Sequence, residues 1–202
     1  MRIFEHWPNR ITASRFVGAL ILFFIFALWG DRETAEMTTT FASICFWIFV
    51  VVAATDFLDG YLARRDGHVS AFGRIADPFV DKVLVLGTMV FLATMPWSRE
   101  WVPAWVVVVI LAREFLVTGI RGYVESAGKA FPADWFGKVK MVVQCMAVGN
   151  VFWIYAFDWP DAWFTFWSVL AHVLIAATVI ATVGSGVSYV LKTPRVLGED
   201  AP

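Results

Sequence analysis

Four aspartates stand within 26 residues of one another, Asp56 and Asp59 and then Asp77 and Asp81. Helical residues three or four apart share a face, so each pair presents two carboxylates side by side. If the connection between the pairs folds the two faces together, four carboxylates meet. Left alone they repel, and some take up protons. One or two divalent cations remove that repulsion, and an all-oxygen donor set suits Mg²⁺ or Mn²⁺ better than zinc. The run reads Asp56-Phe-Leu-Asp59-Gly60-Tyr-Leu-Ala63-Arg64, then eight residues, then Gly73-Arg-Ile-Ala-Asp77-Pro-Phe-Val-Asp81. Gly60 and Ala63 remove bulk beside the carboxylates, so a ligand or a neighbouring helix can come close to the backbone. Arg64 offers a forked donor to a phosphate oxygen. Gly73 suits a turn or a helix start, and Pro78 a first helical turn. Carboxylates, metal, a phosphate-binding arginine and room for a flat ligand together describe phosphoryl chemistry.

These groups must be positioned in lipid. Of 202 residues, 59% are hydrophobic and 16% charged, with a mean hydropathy of +0.69. Soluble domains are about 45–50% apolar and about 25% charged, and a water-soluble globule of this length cannot hide the excess. The composition excludes a soluble enzyme, a secreted disulfide scaffold and a disordered chain. A net charge of −1 without a basic stripe excludes a nucleic-acid partner. Cys45 and Cys145 lie in apolar runs and read as buried hydrophobes. The pattern predicts an all-α, multi-pass membrane protein of one domain, residues 1–202. Its six transmembrane helices lie near 11–29, 37–61, 75–95, 102–124, 136–157 and 162–191, each long enough for about 30 Å of hydrocarbon. The segment from Leu197 to Pro202 reads as a frayed tail. The N-terminus, the 2–3 and 4–5 connections and the tail carry Arg2, Arg10, Arg64, Arg65, Arg74, Arg121, Lys129, Lys138, Lys140, Lys192 and Arg195. The other connections carry only Arg32 and Arg99. Basic residues mark the cytoplasmic side, so both termini are expected there, with the aspartates at the same face. Trp29, Trp97, Trp101, Trp105, Trp153, Trp159 and Trp163 gather at the opposite helix ends, as an aromatic belt does.

Charges inside such spans cost about 2.5–3.5 kcal/mol each at a helix centre and call for partners. Besides the aspartates they are Arg15, Lys82, Arg113 and Glu114. Arg113 and Arg121 are eight apart, two turns, and so share a face. Bland readings stand beside these. Arg113 and Glu114 can satisfy each other between helices, Lys82 can pair with a neighbouring aspartate, and Lys129 can serve topology and anionic lipid. His172 reads as a packing residue, and Gly184 and Gly186 as sites of close helix packing.

The aspartate run matches at every fixed position the D-x2-D-G-x2-A-R-x8-G-x3-D-x3-D signature of the CDP-alcohol phosphotransferase family, which the chain resembles over nearly its whole length. Asn9-x-x-Thr12-x-x-Arg15 and Arg113-Glu114-Phe-Leu-Val-Thr-Gly119-Ile-Arg121 resemble motifs of the branch that makes phosphatidylglycerophosphate. Gly137-Lys138-Val-Lys140 with Gln144 resembles that branch's G-K-x-K-T-x-x-Q element, with Met141 where threonine is usual. Pro132-Ala133-Asp134 replaces the usual Val-Ser before Trp135. The resemblance implies transfer of a phosphatidyl group from CDP-diacylglycerol to sn-glycerol 3-phosphate with release of CMP, by a homodimer in the inner (cytoplasmic) membrane among its lipids. It implies two divalent ions held by Asp56, Asp59, Asp77 and Asp81, with Asp81 also the general base. Asn9, Thr12, Asp56, Gly60, Ala63, Arg64, Gly73 and Asp77 would bind the nucleotide. Arg15, Arg113, Arg121, Lys138 and Lys140 would bind the acceptor phosphate, supported by Glu114.

Other acceptors stay open: inositol phosphate, phosphatidylglycerol as in a cardiolipin synthase, or serine. Two other classes are a divalent-cation transporter and a non-catalytic lipid-binding bundle. Transport wants carboxylates along a path to both faces, and the outer halves of these helices carry none.

Overall fold

In the computed structural model the described residues are 7–30, 35–66, 71–129, 131 and 135–198. Side chains are described at all of these except 7, 8, 35–38, 56–66, 71–75, 135, 136 and 138. Six helices follow in order: α1 (Trp7–Trp29), α2 (Ala35–Asp66), α3 (Ala71–Thr94), α4 (Ala104–Ser126), α5 (Trp135–Ala156) and α6 (Asp161–Leu197). No strand occurs among the described residues. Three stretches are long and apolar enough to cross a membrane, namely Asn9–Trp29, Val139–Ala156 and Asp161–Leu197; Thr39–Thr55 is a shorter apolar stretch. α3 and α4 are long enough but carry Asp77, Asp81 and Lys82, and Arg113, Glu114 and Arg121 respectively. The architecture is that of a multi-pass membrane protein.

The ends follow local chemistry. α4 starts at Ala104 rather than at 102, because Pro103 sits extended at the boundary with ψ 143°. α3 begins four residues before the expected position, which puts Pro78 in its interior instead of its first turn. There Pro78 has no N–H for the carbonyl four residues earlier, a weak point in the helix beside the carboxylates. α6 runs past Pro194 to Leu197, so the expected fraying from Leu197 is corrected at that residue, and 199–202 lie outside the described residues. Its 37 residues span about 55 Å, well beyond a bilayer core of about 30 Å. The helix closes on Gly198 at φ 72°, a left-handed cap that glycine adopts without penalty. The Lys129 ammonium donates to the Leu197 carbonyl, satisfying an acceptor the helix cannot.

Packing closes the helices into a ring. α1 packs on α2, α2 on α5, α5 on α6, α6 on α4, α4 on α3 and α3 on α1, while α3 also reaches across to α5. Lipid tails are as apolar as leucine, so close fit, not exclusion of water, holds such a ring together. Phe26 of α1 is its aromatic hub. Its ring stacks on Phe91 of α3 at 5.0 Å and meets Phe41 of α2 at 5.5 Å and Phe152 of α5 at 6.0 Å. At two seams a small residue permits the approach. A β-carbon on Gly18 would lie 2.6 Å from Val52, and one on Gly87 would collide with the Phe23 ring. On α6, Gly186 lies close to Arg113, whereas Gly184 has no neighbour to crowd, so the expectation of close packing is met only at Gly186. Cys45 is buried and neither cysteine is in a disulfide.

Candidate active site at one end of the ring

One polar stripe of α1 enters the bundle. Asn9, Thr12 and Arg15 are three residues apart and 2%, 4% and 3% exposed. Two of them meet α3 in register: the Thr12 hydroxyl donates to Asp77 Oδ1, and Arg15 Nη2 donates to Asp81 Oδ1. Thr12 pairs with Asp77 and Arg15 with Asp81, so α1 and α3 run in the same direction. Arg15, expected at the acceptor phosphate, is buried and ion-paired with Asp81, the expected base.

The other side of α3 faces cations. Glu114 of α4, 6% exposed, gathers three. Its Oε1 accepts from Arg113 Nη1 at 2.7 Å and from the Lys140 ammonium of α5, and its Oε2 lies 3.2 Å from Lys82 Nζ. A buried carboxylate persists only when paired, and here the pairing fastens α3, α4 and α5 together. Lys82 also donates to the Thr118 hydroxyl at 3.1 Å. Its partner is thus Glu114, not a neighbouring aspartate, among the contacts described. Arg113 and Glu114 pair as neighbours on one helix rather than between helices.

Arg113 and Arg121 do share a face, and Tyr189 of α6 shows where it points. Their guanidinium carbons lie 5.6 and 5.4 Å from the centre of the Tyr189 ring, within reach of a cation–π attraction. Arg121 Nη2 donates to the Tyr189 hydroxyl at 2.6 Å, and Arg113 Nη2 donates to the Ser185 hydroxyl. Tyr189 and Ser185 were not singled out in the sequence. Their signal is a three-to-four-residue spacing that sets both hydroxyls on one buried face of α6 in line with Thr178 and Thr182.

These groups open onto a cavity of about 380 Å³ between α3, α4, α5 and α6. Asp77, Asp81 and Lys82 line one wall, and Arg113, Glu114, Arg121 and Lys140 the others. Its floor is Val85, Leu86, Val117, Met141 and Gln144. Gln144 is buried and rests its amide N–H on the Met89 sulfur at 3.1 Å, a weak acceptor for a good donor. Asp56, Asp59, Gly60, Ala63, Arg64, Gly73 and Lys138 have side chains outside those described. Among the described residues no three His, Cys, Asp or Glu side chains surround one point. The described half of the aspartate set, Asp77 and Asp81, is nevertheless a pair of hard oxygen donors one turn apart at the cavity wall, which fits an oxygen-seeking dication. His172 lies away from this site, its Nδ1 2.9 Å from the Ser168 carbonyl and its ring edge-on to Trp101.

A helical membrane bundle with such a cavity is the setting for transfer of phosphorylated groups, and the chain belongs to the CDP-alcohol phosphatidyltransferase family, whose model matches residues 5–185. It is 36% identical over 146 residues to a CDP-diacylglycerol–glycerol-3-phosphate 3-phosphatidyltransferase of Bacillus subtilis, covering 70% of this chain and 73% of that protein. It is 34% identical over 195 residues to a probable phosphatidylglycerophosphate synthase of Mycobacterium tuberculosis, covering 94% of this chain and 82% of that one. A Haemophilus influenzae CDP-diacylglycerol–glycerol-3-phosphate 3-phosphatidyltransferase is 28% identical over 186 residues, 90% of both chains. Enzymes of this family generally depend on a divalent metal.

Proposed function

We propose that the protein transfers a phosphatidyl group from CDP-diacylglycerol to the primary hydroxyl of sn-glycerol 3-phosphate, giving phosphatidylglycerophosphate and CMP. The observation that carries this reading is the single cavity lined both by Asp77 and Asp81 and by Lys82, Arg113, Arg121 and Lys140. Carboxylates serve the transfer, and surplus cations answer an acceptor that brings its own phosphate. An acceptor such as serine offers those cations a single carboxylate and no phosphate.

In the reaction the acceptor oxygen bonds to the phosphorus that carries diacylglycerol, the bond from that phosphorus to the CMP oxygen breaks, and the hydroxyl proton goes to Asp81. Arg15, donating to Asp81 Oδ1, holds the base in place. Asp77 and Asp81, with Asp56 and Asp59, would hold Mg²⁺ or Mn²⁺, two ions across the four. A bound dication supplies neutralisation of the pyrophosphate and of the charge that builds on departing CMP. Asn9, Thr12, Gly60, Ala63, Arg64 and Gly73 take the nucleotide. Arg113, Arg121 and Lys138 take the acceptor. All six helices cross the inner membrane with both termini cytoplasmic, so the acyl chains stay in lipid while glycerol 3-phosphate arrives from water.

The test is purified protein in mixed micelles with CDP-diacylglycerol and a panel of alcohols, with and without a chelator. Phosphatidylglycerophosphate, identified by mass and made only when divalent metal is present, is expected. Preference for another alcohol, or metal flux in liposomes without any transfer, overturns the reading.

A further inference from the structure

Three cations converge on Glu114, and a substrate phosphate needs one that can let go. We infer that Lys82, rather than Lys140, is the lysine that releases Glu114 to bind the acceptor's phosphate, an inference that rests on the proposed glycerol-phosphate acceptor. Three observations separate the two lysines. The Lys140 side chain is 7% exposed and shares Glu114 Oε1 with Arg113, whereas the Lys82 side chain is 43% exposed and has Oε2. The Lys140 ammonium donates a hydrogen bond to Glu114, whereas Lys82 only approaches it at 3.2 Å. The second partner of Lys82 is an uncharged hydroxyl, Thr118.

Exposure decides what release costs. Breaking a buried pair strands a charge in a poor solvent, while an ion pair half open to water is worth little. When Lys82 leaves, Glu114 keeps Arg113 and Lys140 and is not orphaned. Arg113 is further tied to Ser185. The ammonium of Lys82 is a point charge on a flexible stem and lines the same cavity as Arg121 and Asp81. A phosphate between Lys82 and Arg121 gains two charge-assisted contacts. The bound acceptor then has its free hydroxyl in the cavity where Asp81 also stands. Lys140 instead serves as a fixed strut between α5 and α4.

The experiment compares the unmodified protein with K82Q and K82R, measuring KM for each substrate. Phosphatidylglycerophosphate from the unmodified protein is the precondition; its absence overturns the acceptor reading and this inference with it. Given that product, K82Q should raise the KM for glycerol 3-phosphate about tenfold or more, the loss of one charge-assisted contact. The KM for CDP-diacylglycerol should stay within about twofold, and K82R should recover most of the acceptor affinity. An unchanged acceptor KM, or equal rises for both substrates, overturns the inference and leaves the acceptor reading standing. A second measurement does not depend on a variant's folding. In the unmodified protein glycerol 3-phosphate should protect Lys82 from an amine-acylating reagent, read by peptide mass, and undiminished labelling overturns the inference.

Discussion

Asp81 and Lys82 are neighbours in α3 and reach in opposite directions, Asp81 to Arg15 of α1 and Lys82 to Glu114 of α4. α3 therefore brings both groups to one cavity, each braced by a different neighbouring helix. On one side the hydroxyl of Thr12 and the guanidinium of Arg15 meet its two carboxylates; on the other stands the cation group around Glu114 and Tyr189. With Asp81 as the base, D81N keeps a hydrogen-bond acceptor for Arg15 but cannot take a proton. Turnover should fall by about 10²–10⁴, while the variant still purifies folded, with a lower melting temperature because the buried Arg15–Asp81 pair is weakened. A D81N enzyme that retains most of its turnover removes Asp81 from the base role.

Glu114 should matter first to stability. E114Q leaves Arg113 and Lys140 side by side in the bundle without their anion, a loss of about 3–5 kcal/mol when a buried pair is broken from one side. E114Q combined with K140M removes both partners and should melt above E114Q alone. Thermal denaturation in detergent reads this, and strictly additive losses would show that the pair is not coupled.

Tyr189 contributes a hydroxyl and a ring, and two variants separate them. Y189F loses the bond from Arg121 and should weaken acceptor binding by about 1 kcal/mol, roughly fivefold in KM. Y189L also loses the ring under both arginines and should add a comparable increment. Initial rates against glycerol 3-phosphate at saturating CDP-diacylglycerol distinguish them; identical, unchanged KM values in both variants would reduce Tyr189 to packing.

How far the sequence reveals this arrangement depends on what each residue contrasts with. Aspartates in an apolar run are conspicuous, and fixed spacing ties Asp56, Asp59, Asp77 and Asp81 to one chemistry. The eight-residue interval from Arg113 to Arg121 correctly puts both on one face. The order of helices around the ring is not legible. A helix in lipid is apolar towards both its neighbours and the bilayer, so periodicity does not mark which side packs. Lys82 and Glu114 lie on different helices, and nothing local names them as partners. The meaning of Tyr189 comes only from the two arginines that α4 brings over it. The sixth span is expected to end near 191, yet Pro194 forfeits only the one bond back to the carbonyl four residues earlier, and the helix continues to Leu197.

The assignment of the two substrates to opposite flanks of α3 around one cavity is the central claim, and one set of steady-state measurements tests it: KM for both substrates in T12V and in R121A. T12V removes the hydroxyl bound to Asp77 on the α1 side and should raise the KM for CDP-diacylglycerol alone, by about fivefold. R121A, on the α4 side, should raise the KM for glycerol 3-phosphate alone, by about tenfold or more. Variants that each shift both constants together, or that shift the opposite one, would contradict the account.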